Sequence, residues 1–173
     1  MTEQLSPYRP NLEQNNEVNF LIFHNIEKRV RHRQNLARWP LHITIVPAFK
    51  LEDGLGGINK LRDLVRDIAQ DVHPFDVYAK EDVMFGPNNT EPATTIEDTS
   101  GNLRALHERF LWDLGSIGCR EIDMTYGGDK YTPHYTWKRG VFPPTRNIAC
   151  DSLSIAMKRG ESKQMLDTQL LLY

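Results

Sequence analysis

The sequence predicts an α+β fold: two lobes of mostly antiparallel sheet, flanked by helices and separated by a central cleft. Three observations carry that expectation. Strand-like runs follow one another without regular βαβ alternation. Only two long segments carry helical periodicity. The triplet His-x-Thr occurs once in each half of the chain, as His42-Ile43-Thr44 and His134-Tyr135-Thr136, as an internal pseudo-duplication would give.

Taken in order, residues 1–16 are polar, contain Pro7 and Pro10, and read as a flexible arm. Residues 17–173 read as a single bilobal domain, a size that suits one hydrophobic core. Residues 18–24, Val-Asn-Phe-Leu-Ile-Phe-His, have the apolar and aromatic content of a first strand. Residues 25–38 are strongly basic and either helical or irregular. Pro40 disfavours helix at Trp39, so the chain enters the first triplet extended. Ile58, Leu61, Leu64, Val65, Ile68 and Val72 recur at helical spacing and predict a helix over 58–72. Short strands are expected at 75–80, 82–85 and 93–97. A second helix follows, capped by Thr99 or Ser100, with Leu103, Leu106, Phe110, Leu111, Leu114 and Ile117 on one stripe. The second triplet lies in an extended run at 131–138, and residues 152–158 and 164–172 form a closing hairpin around Gly160-Glu161.

Hydrophobic residues make up 39% of the chain, charged residues 25%, and the net charge is −2. That excludes a global positive field as the means of attracting a polyanion, so any such binding must come from a local patch. Cys119 and Cys150 are the only cysteines and lack metal or redox spacing; they are expected to be reduced core thiols. No secretion signal or membrane-length run is visible, which makes a cytoplasmic location the expectation.

The triplets carry the chemistry. A strand turns alternate side chains to opposite faces, so each triplet presents an imidazole and a hydroxyl together. Leu41, Ile43 and Ile45 form the apolar face around the first, Tyr135 and Trp137 around the second. Imidazole titrates near neutrality and serves as acid or base. Two of them, His42 and His134, satisfy a phosphodiester that needs one proton removed and another delivered. Thr44 and Thr136 are placed to donate hydrogen bonds to non-bridging phosphate oxygens. Lys138 shares their face by parity, and is read either as a phosphate contact or as a solvated strand end. Tyr131, with Lys130, is a candidate wall for a base or ribose.

The segments Trp39-Pro40-Leu41-His42-Ile43-Thr44-Ile45-Val46-Pro47 and Pro133-His134-Tyr135-Thr136 resemble the two-histidine (2H) phosphoesterase superfamily, which includes the LigT-like RNA 2′,3′-cyclic phosphodiesterases and 2′-5′ RNA ligase-like proteins. The resemblance covers the order of segments from about Val18 to the C-terminus and implies the 2H phosphoesterase fold. It also implies a metal-independent phosphodiesterase without a cofactor, with His42 and His134 catalytic. The implied substrates are a nucleotide or short RNA carrying a 2′,3′-cyclic phosphate, a 2′-5′ linkage, or a cyclic oligonucleotide signal of the kind that compact viral members degrade. Neither a membrane nor an obligate protein partner is expected. The alternative is a non-catalytic RNA or nucleotide binder using the same cleft.

Other candidates are weaker. Gly54-Leu55-Gly56-Gly57 opens a helix but fails the dinucleotide fingerprint at Asn59. His24 ends the first strand and could touch the cleft, while His107 suits a core or rim position. The basic run of Lys28, Arg29, Arg31, Arg33 and Arg38 is a nucleic-acid contact or, more commonly, a solvated face. Phe20, Phe23 and Trp39 are core residues or base-stacking platforms.

Overall fold

A computed structural model of the chain describes residues 17–27, 34–143 and 145–172. The N-terminal arm at 1–16 and the basic residues at 28–33 lie outside them. Ten strands and two helices succeed one another among the described residues: β1 (Val18–Asn25), β2 (Asn35–Leu36), β3 (His42–Leu51), α1 (Ile58–Gln70), β4 (Phe75–Phe85), β5 (Glu91–Glu97), α2 (Asn102–Leu114), β6 (Cys119–Arg120), β7 (His134–Thr136), β8 (Asn147–Cys150), β9 (Ser152–Arg159) and β10 (Ser162–Leu170). They form a six-stranded sheet, β2-β10-β9-β1-β3-β6, and a four-stranded sheet, β7-β5-β4-β8. Every pairing is antiparallel, and the fold is α+β as the sequence predicts.

Each triplet sits on its own sheet, but the sheets are not the two halves of the chain. The C-terminal hairpin β9–β10 joins the first sheet by pairing with β1. The mid-chain strands β4 and β5 instead pair with β8 and β7.

The helices follow their apolar stripes. On α1, Leu61, Val65, Ile68 and Ala69 are buried, and the helix ends at Gln70 rather than at 72 because Pro74 denies the next turn a donor and restricts His73. Gly57, just before α1, is glycine for a packing reason: a Cβ there would stand 2.8 Å from Leu51 Cδ1. Gly101, with φ +73, precedes α2. There the Asp98 carboxylate accepts the Arg104 N–H at 3.1 Å, while Ser100 Oγ accepts that of Asn102. The two short strands expected at 75–85 are one strand, β4, with a register break between Ala79 and Asp82. The Thr95 hydroxyl bridges the gap, accepting from the Glu81 N–H and donating to its carbonyl.

One continuous core draws Ile22, Ile43, Ile45 and Phe49 from the first sheet, Val77, Ile96 and Ile148 from the second, and Leu61, Leu103 and Phe110 from the helices. The opposite face of the first sheet carries a separate small cluster of Phe23, Ala156 and Met165, with Leu21 and Trp39 against it. Both cysteines remain thiols; burial pushes Cys119 up to about 11 and Cys150 up to about 12, which makes them inert at neutral pH. No helix among the described residues is long and apolar enough to cross a membrane.

Candidate active site

β3 lies next to the edge of the first sheet, paired with β1 on one side and, at Lys50 and Leu51, with the two-residue β6 on the other. Its Ile43, Ile45 and Val46 are buried in the core, which turns His42 and Thr44 to the other face. That face borders a cleft of about 870 Å³ whose walls include Trp39, His42, Thr44, Thr136 and Lys138. Three of the predicted polar groups therefore share one cavity with His42.

The histidines are held alike. His42 Nδ1 lies 2.6 Å from the Pro40 carbonyl and His134 Nδ1 lies 2.8 Å from the Thr132 carbonyl, two residues back in each case. A carbonyl only accepts, so each Nδ1 carries the proton, and Nε2 is left as the ring nitrogen able to exchange a proton with a bound molecule. Neither Nε2 has a partner among the described residues.

Their surroundings differ. His42 packs against Phe23, with ring centroids 4.8 Å apart, and against Trp39. Burial, then the charges of Lys138 and His134, push its pKa down to about 4 against the raising effect of the Pro40 carbonyl. His134 therefore lies within electrostatic reach of His42. It is not one of the groups that wall the cleft, because its ring is stacked on Phe85 at 4.2 Å and meets the edge of Tyr126. Neither aromatic stood out in the sequence, since nothing local links them to the second triplet.

β7 has only three residues and is an edge strand, so its position depends on bonds outside the ladder. On its outer face the Trp137 indole donates to Thr94 Oγ1, which donates to the Asp82 carboxylate. These bonds tie the end of β7 across β5 to β4. Lys138 lines the cleft, and burial followed by the Arg38 charge holds its pKa below the usual lysine value. Glu27 sits nearby, clamped by Arg38 at 2.8 Å and accepting the Leu41 N–H; the Arg38 bond keeps its carboxyl below the usual range. Arg38, expected with the basic run, is thus committed to the entry of β3.

Tyr131 corrects the sequence reading. It was expected to wall a base or ribose, but it is only 6% exposed and does not line the cleft. The turn at Gly128–Lys130 drops its ring flat onto His107 at 4.1 Å, and its hydroxyl donates to the Thr44 carbonyl at 2.8 Å. His107 is fully buried in α2. Its Nδ1–H donates to the Ile45 carbonyl at 2.7 Å and its Nε2 accepts the Gly128 N–H at 2.8 Å. This donor and acceptor pair is satisfied only by the neutral ring, and burial lowers its pKa accordingly. The two residues bracket the first triplet to the loop that leads into the second. Lys130 is exposed beside them.

His24 does not touch the cleft; it is buried, with Nδ1 on the Ser152 carbonyl at 3.1 Å. Phe20 and Phe23 are buried, and Phe20 and Trp39 both contribute to the cavity wall. Among the described residues there is no cluster of three His, Cys, Asp or Glu groups that could hold a metal ion.

Similarity to known proteins agrees with this architecture. Residues 20–160 match the 2′-5′ RNA ligase superfamily. E. coli LigT in complex with 3′-AMP superposes with a TM-score of 0.56 at 14% identity, covering 91% of this chain and 99% of that one. A structure described as a phosphoesterase gives 0.55 at 15% identity, over 92% and 100% of the two chains. No curated protein matches the chain significantly by sequence. The paired triplets, the two-sheet cleft and the match across most of the chain together make this protein a member of the 2′-5′ RNA ligase superfamily, the LigT-like 2H phosphoesterases.

Proposed function

We propose that the protein is a metal-independent phosphodiesterase that hydrolyses a nucleotide or short-RNA phosphodiester by paired-histidine acid–base catalysis. The observation that carries this reading is the shared tether: both imidazoles give Nδ1–H to the carbonyl two residues back and keep Nε2 for the substrate. A pure binder has no need of two such proton-transfer groups.

His42, with its pKa pushed down to about 4, is neutral at physiological pH and takes the proton of the attacking water or ribose hydroxyl on Nε2. His134 gives a proton from Nε2 to the departing ribose oxygen. Thr44 and Thr136 hydroxyls donate to the non-bridging oxygens as charge builds there, and Lys138 supplies a positive charge from the same wall. In the reverse, ligating direction the two histidines exchange roles. Candidate substrates are 2′,3′-cyclic phosphates, 2′-5′ linkages and cyclic oligonucleotides.

The test is a panel of these three classes assayed in EDTA, with the position of the product phosphate resolved. Turnover of one class, unchanged by chelation, is the expected result. Activity that disappears in EDTA and returns with a divalent ion would overturn the metal-free assignment. Affinity without product would favour the binder.

A further inference from the structure

The cleft does not end at the histidines. It continues along β3 to Ala48 and across β1 to Asn19, Leu21 and Lys158. Ala48 lies six residues beyond His42, about 20 Å along a strand, which is longer than a single nucleotide. Between the two ends the sheet presents Leu21, backed by the small cluster of Phe23, Ala156 and Met165, an apolar floor suited to the faces of bases.

The far end carries an unusual pair. Lys158 on β9 stands directly opposite Lys163 on β10, and directly opposite Asn19 on β1. Opposed residues share a face, and Met165, two residues along β10 from Lys163, belongs to the cluster on the cleft side. Like charges directly opposed across a ladder destabilise it. Neither lysine forms an ion pair or hydrogen bond with a described residue, whereas Lys50 and Lys60 are both paired with carboxylates. Asp123, at the same end, already accepts from the Thr125 N–H and hydroxyl.

We infer that Lys158 and Lys163 form a distal phosphate subsite, and that the substrate is an oligonucleotide whose reacting phosphate sits at His42 while a phosphate further along the strand neutralises the lysine pair. The inference rests on the phosphodiesterase reading for the reacting end only.

The experiment compares wild type with the Lys158→Thr/Lys163→Thr double variant. Two ligands are used: a 2′,3′-cyclic mononucleotide, and a short RNA ending in the same cyclic phosphate. Turnover of both is measured, together with fluorescence anisotropy of the labelled RNA. The variant is expected to weaken RNA binding tenfold or more and to raise its KM, leaving mononucleotide turnover unchanged. The slope of log affinity against log salt should fall by about 0.7 for the one single-strand phosphate that the pair neutralises. Removing the repulsion and adding two strand formers should leave Tm no lower than wild type, which separates lost binding from lost folding. Unchanged RNA affinity in the variant, or equal loss on both ligands, overturns the subsite. If wild type turns over neither ligand, the 2′,3′-cyclic phosphate is not the reacting end, and the anisotropy comparison still decides the lysine pair.

Discussion

The two triplets hold the same residue types, yet the strands that carry them differ in length and in what backs them. His42 and Thr44 lie on a ten-residue strand that pairs with β1 along their segment and with β6 only at Lys50 and Leu51, and whose other face is sealed in the core. His134 and Thr136 lie on a three-residue edge strand paired on one side only and secured by Trp137, Thr94 and Asp82. The first imidazole is half-buried beside Phe23 and loses basicity; the second is stacked between Phe85 and the edge of Tyr126. A duplicated motif thus yields two imidazoles in unlike surroundings because the sheets around it are unlike.

The largest effect should come from removing either imidazole. His42→Ala and His134→Ala are each expected to lower kcat about 10²–10⁴-fold, with the double variant little worse than either single one, because the pair acts as a unit. Additive losses in steady-state kinetics would show that the triplets work separately.

Next comes the bracket that links the triplets. His107→Ala strands the Gly128 N–H and the Ile45 carbonyl in the core, costing about 1–3 kcal/mol for each group left unsatisfied. His107→Gln can still donate to one and accept from the other, so it should recover most of the denaturant midpoint and of kcat. Tyr131→Phe keeps the ring on His107 but frees the Thr44 carbonyl, a net loss of about 1 kcal/mol. Its KM should hold while kcat falls; a stability loss with unchanged kcat would make the bracket merely structural.

The electrostatic difference between the triplets has a pH signature. With the pKa of His42 at about 4 in the free enzyme, kcat/KM should keep its base limb intact until pH falls to about 4. A bound phosphate anion offsets the Lys138 and His134 charges, so the acid limb of kcat should lie at higher pH. Coincident limbs would contradict the placement of His42 beside the phosphate. Stability follows the same sign. The folded pKa lies below the unfolded value of about 6.5, so the contribution is complete above that value and is lost as pH falls from there toward 4. His107, also depressed by burial, adds to the acid loss. Acid-induced unfolding should therefore shift to lower pH in His107→Gln.

The smallest effects belong to the hydroxyls and the stacking ring. Thr44→Ala and Thr136→Ala each remove one hydrogen-bond donor from a shared anion site, and about a tenfold loss in kcat is expected from either. Phe85→Ala removes a ring contact worth about 0.5–1.5 kcal/mol; it should lower kcat modestly and leave the limb that belongs to His42 in place. A change in the His42 limb would mean that the two triplets are more tightly coupled than their separate sheets suggest.

Much of this was legible in the chain itself. Alternation around Ile43, Ile45, Tyr135 and Trp137 placed the two strands and their polar faces, helical spacing placed α1 and α2 to within a few residues, and Gly160 marked the closing hairpin. The short strands β2, β6 and β8 were not legible, because two to four residues carry no period and exist only through their partners. Tyr131 was misplaced for a related reason: an aromatic beside a motif looks the same whether it faces a ligand or a buried histidine on another element.

The sequence by itself determined which strands carry the two His-x-Thr triplets and which faces their side chains occupy, because side-chain alternation is a local property of an extended backbone. Tertiary structure alone decided that β9 and β10 return to the first sheet while β4 and β5 build the second, so that the lobes are not the halves of the chain. It also decided which histidine packs beside Phe23 and which stacks on Phe85, and that Lys163 stands opposite Lys158, which lies at the far end of the cleft. Those outcomes depend on contacts between segments far apart in sequence, where burial and charge are set by neighbours that no local pattern names.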